Sequence, residues 1–270
     1  MTSPIPSMNA PLLRGSGPAL LLAHGAGSDV QDSYGPLIDD LAEYRTVIGP
    51  DYPGSGNTSL PGRPLSLDEL SDHIVESAVR HGAETFAISG FSMGCSVAVR
   101  TAVRHPERVT ALILSAGFAH PNPRLRLAVG TWRALGRHLP ESRELAAYLS
   151  LMVGGPEWLD ERTADEIEEQ LTLFAGGLPP GTDAQLALFE HIDVRPDLAR
   201  IAVPTLVVSP LRDLLITPLH SRELADGIPG ARLATLDCGH AIAAEEPAAW
   251  AALIQDFLTS VEEPPGRVRG

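Results

Sequence analysis

Gly90-Phe91-Ser92-Met93-Gly94 has the pattern G-x-S-x-G, with a short apolar run before it and a helix-like run, Cys95–Val103, after it. Glycines on both sides of a serine permit a sharp turn, which lifts the hydroxyl clear of the backbone at the positive end of a helix. A serine hydroxyl is a poor nucleophile near neutrality and needs both a base and a group to orient that base. Of the nine histidines, His240 in Cys238-Gly239-His240 stands in a loop just after an apolar run, where a base is expected. Asp213, four residues beyond another such run, is the acid candidate. Capping a helix or pairing with Arg212 are its other readings. The chemistry these three types support is attack by Ser92 on a carbonyl, with His240 taking the proton and Asp213 holding the imidazole.

Such groups need a rigid frame. Short, nearly continuous apolar runs recur at Ala19–Ala23, Thr46–Gly49, Thr85–Ser89, Val109–Ser115, Pro204–Ser209 and Arg232–Leu236, as expected of parallel strands covered on both faces. Helical stripes lie between them: Leu67, Leu70, Ile74 and Ala78 in one, Trp250, Leu253, Ile254 and Phe257 in another. The alternation predicts an α/β, doubly wound, mostly parallel sheet. Its loops at the carboxyl ends of the strands carry Ser92, Asp213 and His240. From about Phe118 to Arg195 the rhythm stops. Helical patterns such as Leu125/Val129/Trp132 and Ile167/Leu171/Phe174 are punctuated there by Gly154-Gly155, Gly176-Gly177 and Pro179-Pro180. We read 118–195 as a helical cap over a core formed by 1–117 and 196–270; further crossovers of the same sheet are the other reading.

Composition narrows the chemistry. All 20 basic residues are arginines, so lysine-dependent Schiff-base, pyridoxal-phosphate and P-loop chemistry is excluded. A net charge of −14 speaks against nucleic acid and anionic membrane as partners. Cys95 and Cys238 belong to no metal-ligand cluster or disulfide framework and read as small buried packing residues. The amino-terminal stretch has no basic start followed by a long apolar run, so a cytoplasmic protein is the expectation.

With the order Ser92, Asp213, His240, each after a different strand, the chain resembles the α/β-hydrolase superfamily. His24-Gly25-Ala26-Gly27 is similar to the family's HGxG loop, Asp51-Tyr52-Pro53-Gly54-Ser55-Gly56 to its D-x-P-G-x-G turn, and Gly239-His240 with Glu246-Pro247 to its GHxxxxxEP ending. The resemblance spans roughly Ala19 to Leu258. It implies the α/β-hydrolase fold with the cap inserted after the sixth strand. It also implies an oxyanion hole made by the backbone N–H groups of Ala26 and Met93, with structural roles for His24 and Asp51. The chain departs from the family pattern in its short opening segment, in Pro218 lying five residues after Asp213, and in Cys95.

A serine at the elbow, where the family's dehalogenases and epoxide hydrolases have aspartate, implies acyl chemistry. The expected function is hydrolysis of a carboxylic ester, lactone or thioester of a fairly apolar small molecule, with no cofactor and no metal. Cofactor-free lyase, cyclase or C–C hydrolase chemistry on the same triad stays open, as does a ligand receptor on a hydrolase scaffold. Trp132 and Phe91 are expected to border the substrate pocket. Some of Leu125, Leu151, Met152, Trp158, Leu171, Phe174 and Phe189 would join them from the cap.

Overall fold

The computed structural model describes residues 10–262. Seven strands form one sheet: β1 (Leu12–Arg14), β2 (Ala19–Ala23), β3 (Thr46–Gly49), β4 (Phe86–Phe91), β5 (Val109–Ser115), β6 (Thr205–Pro210) and β7 (Arg232–Leu236). Their spatial order is β1-β3-β2-β4-β5-β6-β7. Only β1 runs antiparallel to its neighbour, pairing Leu12 with Gly49; the other pairings are parallel. The carboxyl ends of β2, β4, β6 and β7 therefore lie along one edge, and every candidate catalytic loop leaves from it.

Helices α1 (Val30–Ala42), α2 (Leu67–Arg80) and α3 (Met93–Arg104) alternate with the first strands. The segment between β5 and β6 holds α4 (Pro123–His138), α5 (Arg143–Val153), α6 (Pro156–Asp160), α7 (Ala164–Ala175), α8 (Thr182–Leu188) and α9 (Arg195–Leu198). The last three are α10 (Pro218–Gly227), α11 (Ile242–Glu245) and α12 (Pro247–Glu262). Their starts have local causes. Ser66 accepts the Glu69 N–H at 3.2 Å to open α2, and Asn122 accepts the Leu125 N–H at 2.9 Å ahead of Pro123 in α4. Thr163 and Glu166 form a reciprocal capping box at α7.

Alternate residues of the strands enter two apolar cores. Leu21, Ile48, Ile88, Leu112 and Val207 face one, with Leu70, Ile74 and Val97 from α2 and α3. Leu20, Leu22, Val47, Ile113 and Val208 face the other, covered by Tyr34 and Leu37 of α1 and Trp250, Ile254 and Phe257 of α12. Of the C-terminal stripe, Leu253 packs only partly buried at the margin.

Two expectations need correcting. The helical segment follows the fifth strand of the described residues rather than the sixth. Among the described residues only the three-residue β1 precedes β2. The strand before Ser92 also runs on through Gly90 and Phe91 instead of stopping at Ser89, because both residues keep pairing with β5. Between Ser115 and Thr205 the described residues contain no strand. Gly154 and Gly155 separate α5 from α6, as the Gly-Gly pair suggested. Leu125, Val129, Trp132, Leu186 and Phe189 join the first sheet core, so the helical segment shares its apolar contacts with the sheet.

Candidate active site

Ser92 joins β4 to α3 with φ 57° and ψ −123°, a left-handed conformation that costs a non-glycine residue of order 1–3 kcal/mol. The flanking glycines make the turn possible. A side chain at Gly94 would collide with the backbone oxygen of Ala23, and one at Gly90 with the carbonyl of Gly94. The Ser92 N–H donates to Ser115 O at 3.0 Å, which fixes the turn against β5.

His240 Nε2 lies 3.1 Å from Ser92 Oγ, and His240 Nδ1 lies 2.6 Å from Asp213 Oδ2. The other oxygen of Asp213 accepts the N–H groups of Leu215 and Ile216, both at 2.8 Å. With one oxygen held by two amides, the second is aimed at the ring. Nδ1 then carries the proton, and Nε2 is left as the acceptor facing the serine. All three side chains are at least 94% buried. Arg212 turns away from Asp213 to Asp237 and Glu157, each at 2.7 Å, so the competing ion pair does not form.

His24 is wholly buried between Gly25 O, to which Nδ1 donates at 2.7 Å, and the Tyr52 N–H, which donates to Nε2 at 2.9 Å. Burial pushes its pKa down to about 4. Asp51 accepts the Val30 N–H at 3.0 Å, and burial raises its carboxyl above the usual range. Both residues thus tie loops together. Ala26 borders the cavity beside Gly25 and Gly27, and Met93 opens α3 directly after Ser92. The sulfur of Cys95 lies 3.2 Å from Gly90 O, and burial raises its thiol; the Cys238 thiol is pushed up to about 12 by burial. Neither sulfur is a thiolate near neutrality.

Ser92 and His240 open into a cavity of about 430 Å3. Phe91 and Trp132 both line it, together with Leu125, Phe174 and Phe189 from the helical segment. Leu151 does not, because it points outward and is exposed; Leu171 is buried elsewhere in the segment. Val129, Leu149, Val153, Leu173 and Leu178 also line the cavity, although none of them was expected to border it. Val129 shares the Leu125/Trp132 stripe and was readable from that spacing; the others carried no separate signal. Glu245 is another residue the sequence did not flag. It accepts the Gly155 N–H at 3.0 Å and the Gly239 N–H at 2.7 Å, tying the α5–α6 junction to the His240 loop. Among the described residues no cluster of three or more His, Cys, Asp or Glu side chains is arranged to hold a metal ion, and no helix is long and apolar enough to cross a membrane.

The sequence profile of the alpha/beta hydrolase family matches residues 20–253. Pyrrolizixenacetamide deacetylase of Xenorhabdus hominickii is 30% identical over 93% of this chain and 94% of its own length. The pimeloyl-[acyl-carrier protein] methyl ester esterase of Neisseria meningitidis serogroup A is 29% identical over 91% of this chain and 78% of its own. The crystal structure of a hydrolase from Pseudomonas aeruginosa PA01 superposes with a TM-score of 0.82 at 25% identity, covering 93% of this chain and 97% of that one. By sequence and by fold, this chain belongs to the alpha/beta hydrolase family.

Proposed function

We propose that this enzyme hydrolyses the acyl bond of a neutral, largely apolar small molecule through a covalent intermediate on Ser92. The observation that carries the reading is the continuous relay from Leu215 and Ile216 N–H through Asp213 and His240 to Ser92 Oγ. Ser92 attacks the substrate carbonyl as His240 Nε2 takes its proton, and Asp213 stabilises the imidazolium. The oxyanion is received by the N–H groups of Ala26 and Met93, each typically worth ~10²–10³ in rate. The imidazolium then protonates the leaving group, and water, deprotonated by His240, releases the acyl group.

The helical segment acts as a cap that selects the substrate, since it supplies most of the apolar wall facing Ser92. Among the described residues that line the cavity, Asp32 and His240 are the ionisable ones, and no arginine is there to pair with a substrate anion. The names of the relatives support acyl removal in general: one is called a deacetylase, the other a methyl ester esterase. They leave both esters and amides as substrate classes.

The test is labelling by a fluorophosphonate, run beside turnover of p-nitrophenyl acetate and butyrate. The wild type should be labelled and should turn over the esters, and Ser92→Ala should do neither. Turnover that survives in Ser92→Ala would replace the acyl-enzyme with general-base chemistry at His240. No turnover, with ligand binding that persists in Ser92→Ala, would indicate a receptor.

A further inference from the structure

Ala26 offers its N–H from a loop that two different parts of the molecule hold. The peptide plane that carries the Ala26 N–H also carries the Gly25 carbonyl, which accepts from His24 Nδ1 at 2.7 Å. The next plane carries the Gly27 N–H, which donates to Gln185 Oε1 at 2.9 Å, a contact spanning 158 residues to α8. Planar peptides leave Ala26 only its own two dihedrals once both planes are held.

Gln185 is well suited to hold the second plane. It is 0% exposed, and its Nε2 donates to Ser55 Oγ at 2.9 Å, with Pro53 O at 3.4 Å. The Ser55 hydroxyl spends its own proton on Ser28 O at 2.7 Å, so toward Gln185 it can only accept. The amide orientation is therefore fixed by its neighbours, with oxygen toward Gly27 and nitrogen toward Ser55. The surroundings prevent drift. Gly181 N–H donates to Gly54 O at 2.8 Å, locking the start of α8 onto the Pro53-Gly54 turn. Gly27 sits at φ +69°, and a side chain there would lie 2.7 Å from the Trp132 ring and 3.2 Å from Thr182 Cγ2.

We propose that Gln185 is a positioning residue for the oxyanion hole: through Gly27 it aims the Ala26 N–H, so the inserted helical segment completes the catalytic geometry as well as the pocket. The proposal rests on the assignment of Ser92 and Ala26 above. The side chain touches neither substrate nor Ser92; it acts through one peptide plane.

Gln185→Met keeps the length of the side chain and removes both directed hydrogen bonds. Turnover of p-nitrophenyl butyrate by the full chain should show kcat reduced about 10- to 100-fold, less than or near the loss of a whole donor, with KM within about twofold. Inhibition by a trifluoromethyl ketone, whose adduct places an oxyanion in the hole, should weaken by the same factor as kcat. A lower Tm with wild-type kcat per folded molecule would overturn the proposal. Hydrogen exchange on the wild type decides independently of any variant. The Gly27 amide should exchange as slowly as those of β2, and fast exchange there rejects the Gln185 clamp. A wild type that neither turns over ester nor takes up fluorophosphonate would instead remove the hydrolase reading, while slow Gly27 exchange would still establish the clamp.

Discussion

His24 has both ring nitrogens engaged, one donating to Gly25 O and one accepting from Tyr52 N–H. That pairing is possible only for the neutral imidazole, since a proton on Nε2 would point at another N–H. Burial opposes charge as well, which is why the pKa falls to about 4. The folded pKa lies below the unfolded value near 6.5, so the unfolded chain binds the extra proton first. His24 therefore contributes stability that is full above about pH 6.5 and declines as pH falls toward 4. Over that window the loss amounts to about 3 kcal/mol. Urea unfolding at a series of pH values should show the decline, and the His24 ring resonance should stay neutral in NMR down to about pH 5. A His24 resonance that titrates near 6.5 in the folded protein would show the pairing to be wrong.

At the scale of elements, the elbow depends on how closely α3 approaches β2. A methyl group at Gly94 meets the Ala23 and His24 carbonyls, backbone atoms that cannot swing aside. Gly94→Ala should destabilise the protein by about 3 kcal/mol or more. Gly130, mid-helix in α4 with nothing within 4 Å of an added Cβ, should instead gain up to about 1 kcal/mol as alanine. Denaturant unfolding of the two variants checks both signs, and similar shifts would refute the packing argument. The glycines around Ser92 were legible in the sequence because a strand–turn–helix needs them at fixed offsets. Asp213 and His240 were legible because each is a chemically distinctive residue in a loop after an apolar strand. Gln185 was not legible. Its role comes from a contact with Gly27 across 158 residues, and a lone amide in a helical stretch has no spacing to betray it. Periodicity in the inserted segment told which residues are buried but not against what. Leu171 and Phe174 belong to one stripe, yet only Phe174 reaches the cavity.

At the scale of the whole molecule, the −14 net charge and the cavity wall act in the same direction. The wall near Ser92 is largely aliphatic and aromatic, and Asp32, at the start of α1, is the acidic residue that joins it. Burial and the neighbouring Asp29 raise the Asp32 carboxyl above its ordinary value. Such a pocket takes up an apolar acyl chain readily and resists a second negative charge, because no arginine lines it to offset desolvation. Asp32 is exposed, so solvent screens it and its repulsion of a second carboxylate amounts to about 1 kcal/mol at most, or about 5-fold in rate. The p-nitrophenyl half-ester of glutaric acid should therefore be hydrolysed at a kcat/KM about 5-fold below that of the neutral hexanoate of comparable length. Added salt should narrow the gap by screening the exposed part of the field, and Asp32→Asn should narrow it further. If the glutarate half-ester matches the hexanoate in kcat/KM at low ionic strength, the pocket does not select against negative charge, and the neutral-substrate reading of this site falls with it.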